Sequence, residues 1–426
     1  MLQRPVLFLA AALLTACTSL TDLKTSVSES IFGPEPKDPP MELGEFKPTA
    51  TTKVLWHSNV GKSKFYEFSP ALDGAAVFAA GGEGEIVRLE ATSGKQVWRI
   101  NAGEQLSGGV GAGDNLVLVG TPKGMVLAFD QNGKPLWKSK VSSEVLSAPK
   151  ISSGVVVVRT GDSRIFGLSA ADGKRKWVYE RSTPALSLRS AAGVALDGGA
   201  AYAGFAGGKL IALKVDDGKV LWEASVAQAK GTTEIERIAD ITSQPVVDGR
   251  MVYAVAFQGR VAGVDRTNGR VLWTRDISSY TGLGAEDARV YVSHAGGALY
   301  ALDYNSGKSY WRQGSLLNRL LSAPMPIGDY VAVGDVEGYV HFLASEDGAF
   351  AARIRTEDSP VMAHLVDMGN SSLLAQTRDG GVYAIAIQPM ARKDSPTPDS
   401  SGVAPREPAS PEKKKADGLN SLDLHD

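Results

Sequence analysis

The chain has 426 residues, a formal net charge of −2, 43% hydrophobic content and one cysteine. The near-neutral balance excludes an electrostatic case for binding nucleic acid. The single Cys17 excludes an internal disulfide, so an ordinary globular proportion of apolar residues must hold the fold by burial and pairing alone.

Arg4 supplies a short positive segment, and Val6 to Leu14 is an apolar run too short to cross a bilayer. Residues 1–16 read as a secretory signal peptide. Ala16 suits cleavage before Cys17, but Leu14 does not suit the small-residue rule at −3. Leu14-Thr15-Ala16-Cys17 instead resembles the bacterial lipobox, which makes Cys17 the lipidated residue and explains a lone thiol in an exported protein. Several acyl chains on one residue anchor stably. Thr18, rather than an Asp, follows the cysteine; by the same resemblance this implies the periplasmic leaflet of the outer membrane. Residues 17–50, which contain "GPEPKDPP", read as a lipid-anchored flexible tether.

From residue 51 to 387 the chain repeats. Six segments end alike, "TSGKQVW", "QNGKPLW", "ADGKRKW", "DDGKVLW", "TNGRVLW" and "NSGKSYW", at Trp98, Trp137, Trp177, Trp222, Trp273 and Trp311. Each unit reads as four short strands over about forty residues, the arithmetic of a propeller. Gly84, Gly124, Gly208, Gly259, Gly297, Gly338 and Gly380 fall where one hairpin needs positive φ, with Ser163 in that place in the third unit. Gly94, Gly133, Gly173, Gly218, Gly269, Gly307 and Gly348 close a second hairpin, after Asp, Asn or Ser. The seventh unit carries Ala352 where Trp would stand, and the last has three strands only. "TTKVLW", with Trp56, supplies the missing outer strand. The reading is all-β: an eight-bladed β-propeller of four-stranded blades whose N-terminal strand closes the last blade.

Little in the repeat suggests catalysis. Asp265 and Asp303 recur at the turn position and read as turn caps. The histidines have no ligand spacing and no carboxylate–amide cluster recommends itself, so no catalytic residue, metal or cofactor is expected. Residues 388–426, rich in Pro, Ser and charge, read as a disordered tail, with Lys413-Lys414-Lys415 as a solvated charge run.

Two stretches exceed the repeat. Trp-to-Trp spacing is 39 and then 40 residues, but rises to 45 and 51 across "RSTPALSLRSAAG" and "KGTTEIERIADITSQPVV". Both join one blade's outer strand to the next blade's inner strand, so neighbouring blades should set them side by side on one face. Thr233 and Glu236 have the form of a capping box, with Ile235, Ile238 and Ala239 at helical spacing. Leu186 and Leu188 fall on one side of an extended segment and Arg189 on the other. The leucines suit either a docking face or the core. Asp240 ends the turn where the dipole disfavours an acid, which suits either a partner cation or a cap on Thr242 or Ser243.

"ALDYNSGKSYW", at 301–311, resembles the repeat of quinoprotein dehydrogenases that bind pyrroloquinoline quinone, whose adjacent cysteine pair has no counterpart here. Lipobox, tether and eight such blades together resemble the BamB family of outer membrane protein assembly factors, lipoproteins of the β-barrel assembly machinery. The resemblance implies a non-enzymatic scaffold at the outer membrane, facing the periplasm, that binds a POTRA domain of BamA and assists barrel insertion. It also implies contact with other barrel-assembly subunits and with nascent outer membrane proteins. The family's docking segments correspond to Leu186, Leu188, Arg189, Glu234, Ile235, Glu236, Arg237 and Asp240. Thr242 stands where members often carry a second acid. A quinoprotein-like periplasmic dehydrogenase and a lipoprotein propeller for cell-wall or substrate chains are the competing readings.

Overall fold

The protein is described by a computed structural model over residues 38–390, apart from residues 183, 185 and 229. The signal peptide at 1–16, the lipidation at Cys17, the tether to residue 37 and the tail from 391 with Lys413-Lys414-Lys415 lie outside the described residues.

Eight antiparallel four-stranded sheets follow one another around a ring. Within each blade we letter the strands A to D from the channel outward. Blade 1 runs Ala71–Asp73, Ala76–Ala80, Glu85–Glu90 and Gln96–Asn101. Strand B of this blade is buried at every residue, whereas strand D alternates exposed and half-buried positions. The reason is packing: the middle strands are covered on both faces by neighbouring blades, so they read as continuous apolar runs, and only the rim keeps the two-residue period. Inner strands of successive blades touch all the way round, and Val366–Gly369 of blade 8 meets Ala71–Asp73 of blade 1.

The ring closes as the sequence predicts. Ala50–Asn59 pairs with Gly381–Pro389, from Ala50 opposite Pro389 to Asn59 opposite Gly381, and so becomes strand D of blade 8. This removes the open sheet edge that would otherwise end the array.

The two sequence landmarks meet across blade junctions. Trp222 Nε1 donates to Arg266 O of the next blade at 2.8 Å. A Cβ on Gly269, whose φ is +75°, would stand 2.7 Å from the same indole. Trp56, Trp98, Trp137, Trp177, Trp273 and Trp311 repeat the bond to a carbonyl of the following blade. The exception, Ala352, now has a cause. Strands C and D of blade 8 come from opposite ends of the described chain, so that blade has no C–D hairpin to receive an indole. Instead Thr49 N donates to Ala351 O at 3.0 Å, and Ala50 packs with Ala351 and Ala352.

The described part of the expected tether, residues 38–49, is seated on blades 6 and 7. Met41 N donates to Leu317 O at 3.0 Å, and Arg319 Nη1 donates to Met41 O at 2.8 Å. Arg319 is 1% exposed and also reaches Asp335 at 2.7 Å. Phe46 lies against Phe350, with the Arg353 guanidinium over its ring.

One hairpin differs from expectation. Gly259 is not at positive φ; Gln258 is, at +50°. Gly259 is needed for space, because a Cβ there would approach the Ala256 and Ala227 methyls to 2.7 and 2.9 Å. Ser163 adopts the left-handed conformation expected of its glycine counterparts.

Candidate functional site

Every D–A connection leaves the ring at the end that also carries the B–C hairpins. Connections 180–194 and 226–245 are the long ones, and they lie side by side, as their positions in sequence require. What joins them is Asp240. It is 3% exposed, with Oδ2 accepting Leu188 N–H at 2.7 Å and Oδ1 accepting Gly207 N–H at 2.9 Å. It does not cap Thr242 or Ser243, and its two oxygens are turned to these amides rather than outward. A buried carboxylate that accepts two backbone N–H groups is well satisfied without a cation. Thr242 Oγ1 donates to Tyr280 O at 3.1 Å, tying the segment to the next connection.

The Thr233–Glu236 capping box forms in both directions. Glu236 N donates to Thr233 Oγ1 at 3.2 Å, while Glu236 Oε2 accepts Thr233 N at 3.1 Å and Thr232 N at 2.8 Å. These backbone bonds, that from Thr233 foremost, hold the Glu236 carboxyl below its ordinary range. The result is a single turn, with Arg237 N bonded to Thr233 O at 3.2 Å. With its amide oriented to satisfy these acceptors, Gln258 closes the far end by donating to Ile235 O at 3.1 Å and Ile238 O at 3.3 Å. The left-handed backbone at Gln258 thus aims its side chain beneath the turn.

The apolar residues at helical spacing part company. Ile238 and Ala239 are buried with Ile241 and pin the turn to the propeller. Ile235 points away and is 66% exposed, and Leu186 and Leu188 are 43% and 37% exposed. Of the two readings of these leucines, the core one is therefore set aside. Glu234 and Arg237 form an exposed pair at 3.8 Å, worth little by itself. Arg189 turns inward and makes a two-pronged bond to Glu144 in the 2–3 connection, 2.6 Å on each prong. That bond is the first cause holding its guanidinium above the ordinary range.

Glu144 and Gln258 are supporting residues that sequence reasoning missed. They lie 45 residues before Arg189 and 20 beyond Ile238, and no local pattern marks either. Asp265 and Asp303 are turn caps as read, accepting Thr267 N at 2.9 Å and Ser306 N at 2.8 Å. Among the described residues no three His, Cys, Asp or Glu side chains cluster as metal ligands.

Beside this face the central channel opens into a cavity of about 570 Å³, to which Leu188 and Arg189 contribute. Burial pulls the nearby Arg159 guanidinium down to about 10, with Asp240 opposing the shift. In the channel wall, loss of hydration pushes Glu67 up against the pull of Arg378.

Comparisons with known proteins agree on one family. The family described as outer membrane protein assembly factor BamB matches residues 46–107 and 82–313. A protein of that description from Nitrosomonas eutropha is 42% identical over 380 residues, covering 88% of this chain and 93% of its relative. Another from Burkholderia pseudomallei is 41% identical, covering 81% and 90%. The crystal structure of BamB from Moraxella catarrhalis superposes with a TM-score of 0.73 at 29% identity, over 79% of this chain and all of that one. A quinohemoprotein alcohol dehydrogenase from Comamonas testosteroni gives a TM-score of 0.64 at 14% identity, over 81% of this chain and 78% of that one. That likeness is one of fold alone.

Proposed function

The chain belongs to the BamB family of outer membrane protein assembly factors, and on that premise we propose that it is a non-enzymatic scaffold docked on the POTRA region of BamA. Its docking face is formed by connections 180–194 and 226–245. Lipidation of Cys17 holds it at the outer membrane with the propeller in the periplasm. Other barrel-assembly subunits and nascent outer membrane proteins are its further partners.

The observation that carries this reading is the exposure of Leu186, Leu188 and Ile235 on two insertions that Asp240 holds in one register. Exposed apolar side chains on surplus connections have no task in propeller packing. Full burial of such a side chain contributes about 1.5–3 kcal/mol, so covering three half-exposed ones supplies several kcal/mol. Glu234 and Arg237 flank Ile235 and supply a polar rim. In this arrangement Asp240, Glu144, Glu236 and Gln258 hold the face, while the leucines, Ile235 and Arg237 meet the partner.

The test is capture from solubilised outer membranes on the intact lipoprotein and on a Leu186→Asp/Leu188→Asp/Ile235→Asp variant. BamA is expected with the first and not with the second. Equal capture by both would remove the docking assignment. Saturable quinone binding with dehydrogenase turnover would remove the non-enzymatic one.

A further inference from the structure

We propose that residues 38–49 form a latch on blades 6 and 7 that neutral His341 keeps shut and that acid opens. The inference concerns this side of the ring rather than the docking face and does not rest on the docking proposal.

The segment touches the ring along its whole length. Asn318 Nδ2 reaches Pro39 O at 3.5 Å, Met41 N donates to Leu317 O and Thr49 N to Ala351 O, each at 3.0 Å. Between these ends two arginines grip its backbone. Arg319 Nη1 donates to Met41 O at 2.8 Å and Arg353 Nη1 to Gly44 O at 3.4 Å. Leu43 packs with Leu316, Leu321 and Val333, and Phe46 lies against Phe350 with the Arg353 guanidinium 5.1 Å from its ring centroid. Glu42, Glu45 and Lys47 of the segment are exposed.

Both arginines depend on one enclosed pair, Asp335 and His341, each 0% exposed. Arg319 Nε donates to Asp335 Oδ2 at 2.7 Å, and Arg319 also bonds Glu337. Arg353 Nε donates to His341 Nδ1 at 3.1 Å. A guanidinium can only donate, so Nδ1 is an unprotonated acceptor and the ring proton sits on Nε2, 2.8 Å from the same Asp335 oxygen. Tyr339 and Phe350 flank the imidazole at 6.0 and 6.1 Å, and Arg355 lies over the Tyr339 ring. A second proton has one place to go, Nδ1, where it would point at the Arg353 N–H. Its uptake breaks that bond and sets a new positive charge beside Arg319 and Arg353. Repulsion then drives the Arg353 guanidinium off Gly44 O and the Phe46 ring.

Burial first, then Arg353 and Arg319, lower His341, with Asp335 opposing them. Opening frees the imidazole of Arg353 and returns it towards its ordinary 6.5. The open latch therefore binds the proton more tightly than the shut one. Closure is at full strength above pH 6.5 and weakens as the pH falls below it. Shut, the latch brings the chain onto the ring at connection 6–7, at the end that carries the docking connections. Open, the chain joins at Ala50, where strand D of blade 8 begins at the other end. On the lipidation reading of Cys17, opening adds residues 38–49 to the link with the membrane, about 40 Å when extended.

The test is amide hydrogen exchange on the full chain at pH 7.5 and pH 5, with rates corrected for their intrinsic pH dependence. It does not require the lipid. One linked proton lets opening grow tenfold per pH unit below 6.5, so exchange in 41–49 should accelerate about tenfold at pH 5, with about thirtyfold the ceiling. Strand B of blade 7, Tyr330–Gly334, should not change. His341→Gln offers the same acceptor and donor but takes no proton, and should keep 41–49 protected at both pH values. Arg353→Met removes the grip and should leave 41–49 fast at both. A parent whose 41–49 exchange ignores pH overturns the proposal, as does an undiminished acid response in His341→Gln. Should His341→Gln not fold, an undiminished acid response in Arg353→Met overturns it equally. Matching acceleration in Tyr330–Gly334 would mean that the whole blade opens, and would also overturn it.

Discussion

Asp240 Oδ2 accepts the backbone N–H of Leu188 at 2.7 Å, and that bond sets the register between two connections 52 residues apart in sequence. The other oxygen reaches Gly207 N–H in the B–C hairpin of blade 4, so one buried carboxylate ties both insertions to the ring. Asp240 bears on the proposed docking face by positioning Leu188, since its own carboxylate is buried.

Asp240→Asn keeps one acceptor oxygen and loses the other. An unsatisfied buried N–H costs about 1–3 kcal/mol. The amides of Leu188 and Gly207 should together lose one such share of protection. Hydrogen exchange should show about tenfold or faster opening in 186–189 or at Gly207, with strand B amides unchanged. Affinity for isolated POTRA domains should fall with it.

Leu188→Ala and Ile235→Ala should act the other way round. Both side chains are exposed, so melting temperatures should move little. If these are docking hot spots, each costs about 2 kcal/mol of affinity, roughly thirtyfold. Calorimetry for stability and titration against POTRA domains for affinity separate the two effects. A large fall in melting temperature with normal binding would return Leu188 to a structural role.

Trp222→Ala removes a buried indole and its bond to Arg266 O, and should destabilise the ring by about 3–5 kcal/mol. Gly269→Ala thrusts a methyl against that indole in a left-handed backbone and should cost about 1–3 kcal/mol. The two should not add, because the indole's loss makes room for the methyl. A double-mutant cycle in urea should give a coupling of about 0.5–3 kcal/mol. Strict additivity would show that the contact is not part of the junction.

Burial of neutral histidine makes stability depend on pH. Burial lowers the pKa of His341, which is fully enclosed, and loss of hydration in the channel wall lowers that of His364, exposed to the channel, from its ordinary 6.5 to about 4. Between those values the unfolded chain binds the proton and the folded chain does not. Stability is therefore full above pH 6.5 and falls as the pH drops through 6.5 towards 4. Glu67, raised by loss of hydration in the channel wall, works in the opposite sense below the neutral range. Melting curves should show His364→Gln less sensitive than the parent between pH 6.5 and 4. An unchanged slope would mean that the imidazole is freely solvated.

The propeller was legible in the sequence because its rules are local. An Asp-, Asn- or Ser-Gly turn recurs in seven blades, with a Trp four residues after the Gly in six of them, and an eighth blade short of one strand calls for a partner from the N-terminus. Even Ala352 marked the one junction without a receiving hairpin, although its reason waited on the pairing of Ala50–Asn59 with Gly381–Pro389. The capping box was equally local, with its partners three residues apart.

Contacts between distant segments lay beyond any such rule. Nothing in "LSLR" says that Arg189 meets Glu144 or that Leu188 N–H ends on Asp240, and nothing in 38–49 says that Arg319 will hold Met41. Each depends on which connections the ring brings together. The sequence determined by itself the blades, their number and the two surplus connections, because short-range backbone and turn chemistry is written into the repeat. Only the tertiary structure decided which apolar side chains face outward and which charged ones turn in, because those choices follow from closure of the ring and from satisfying each buried N–H and carboxylate across it.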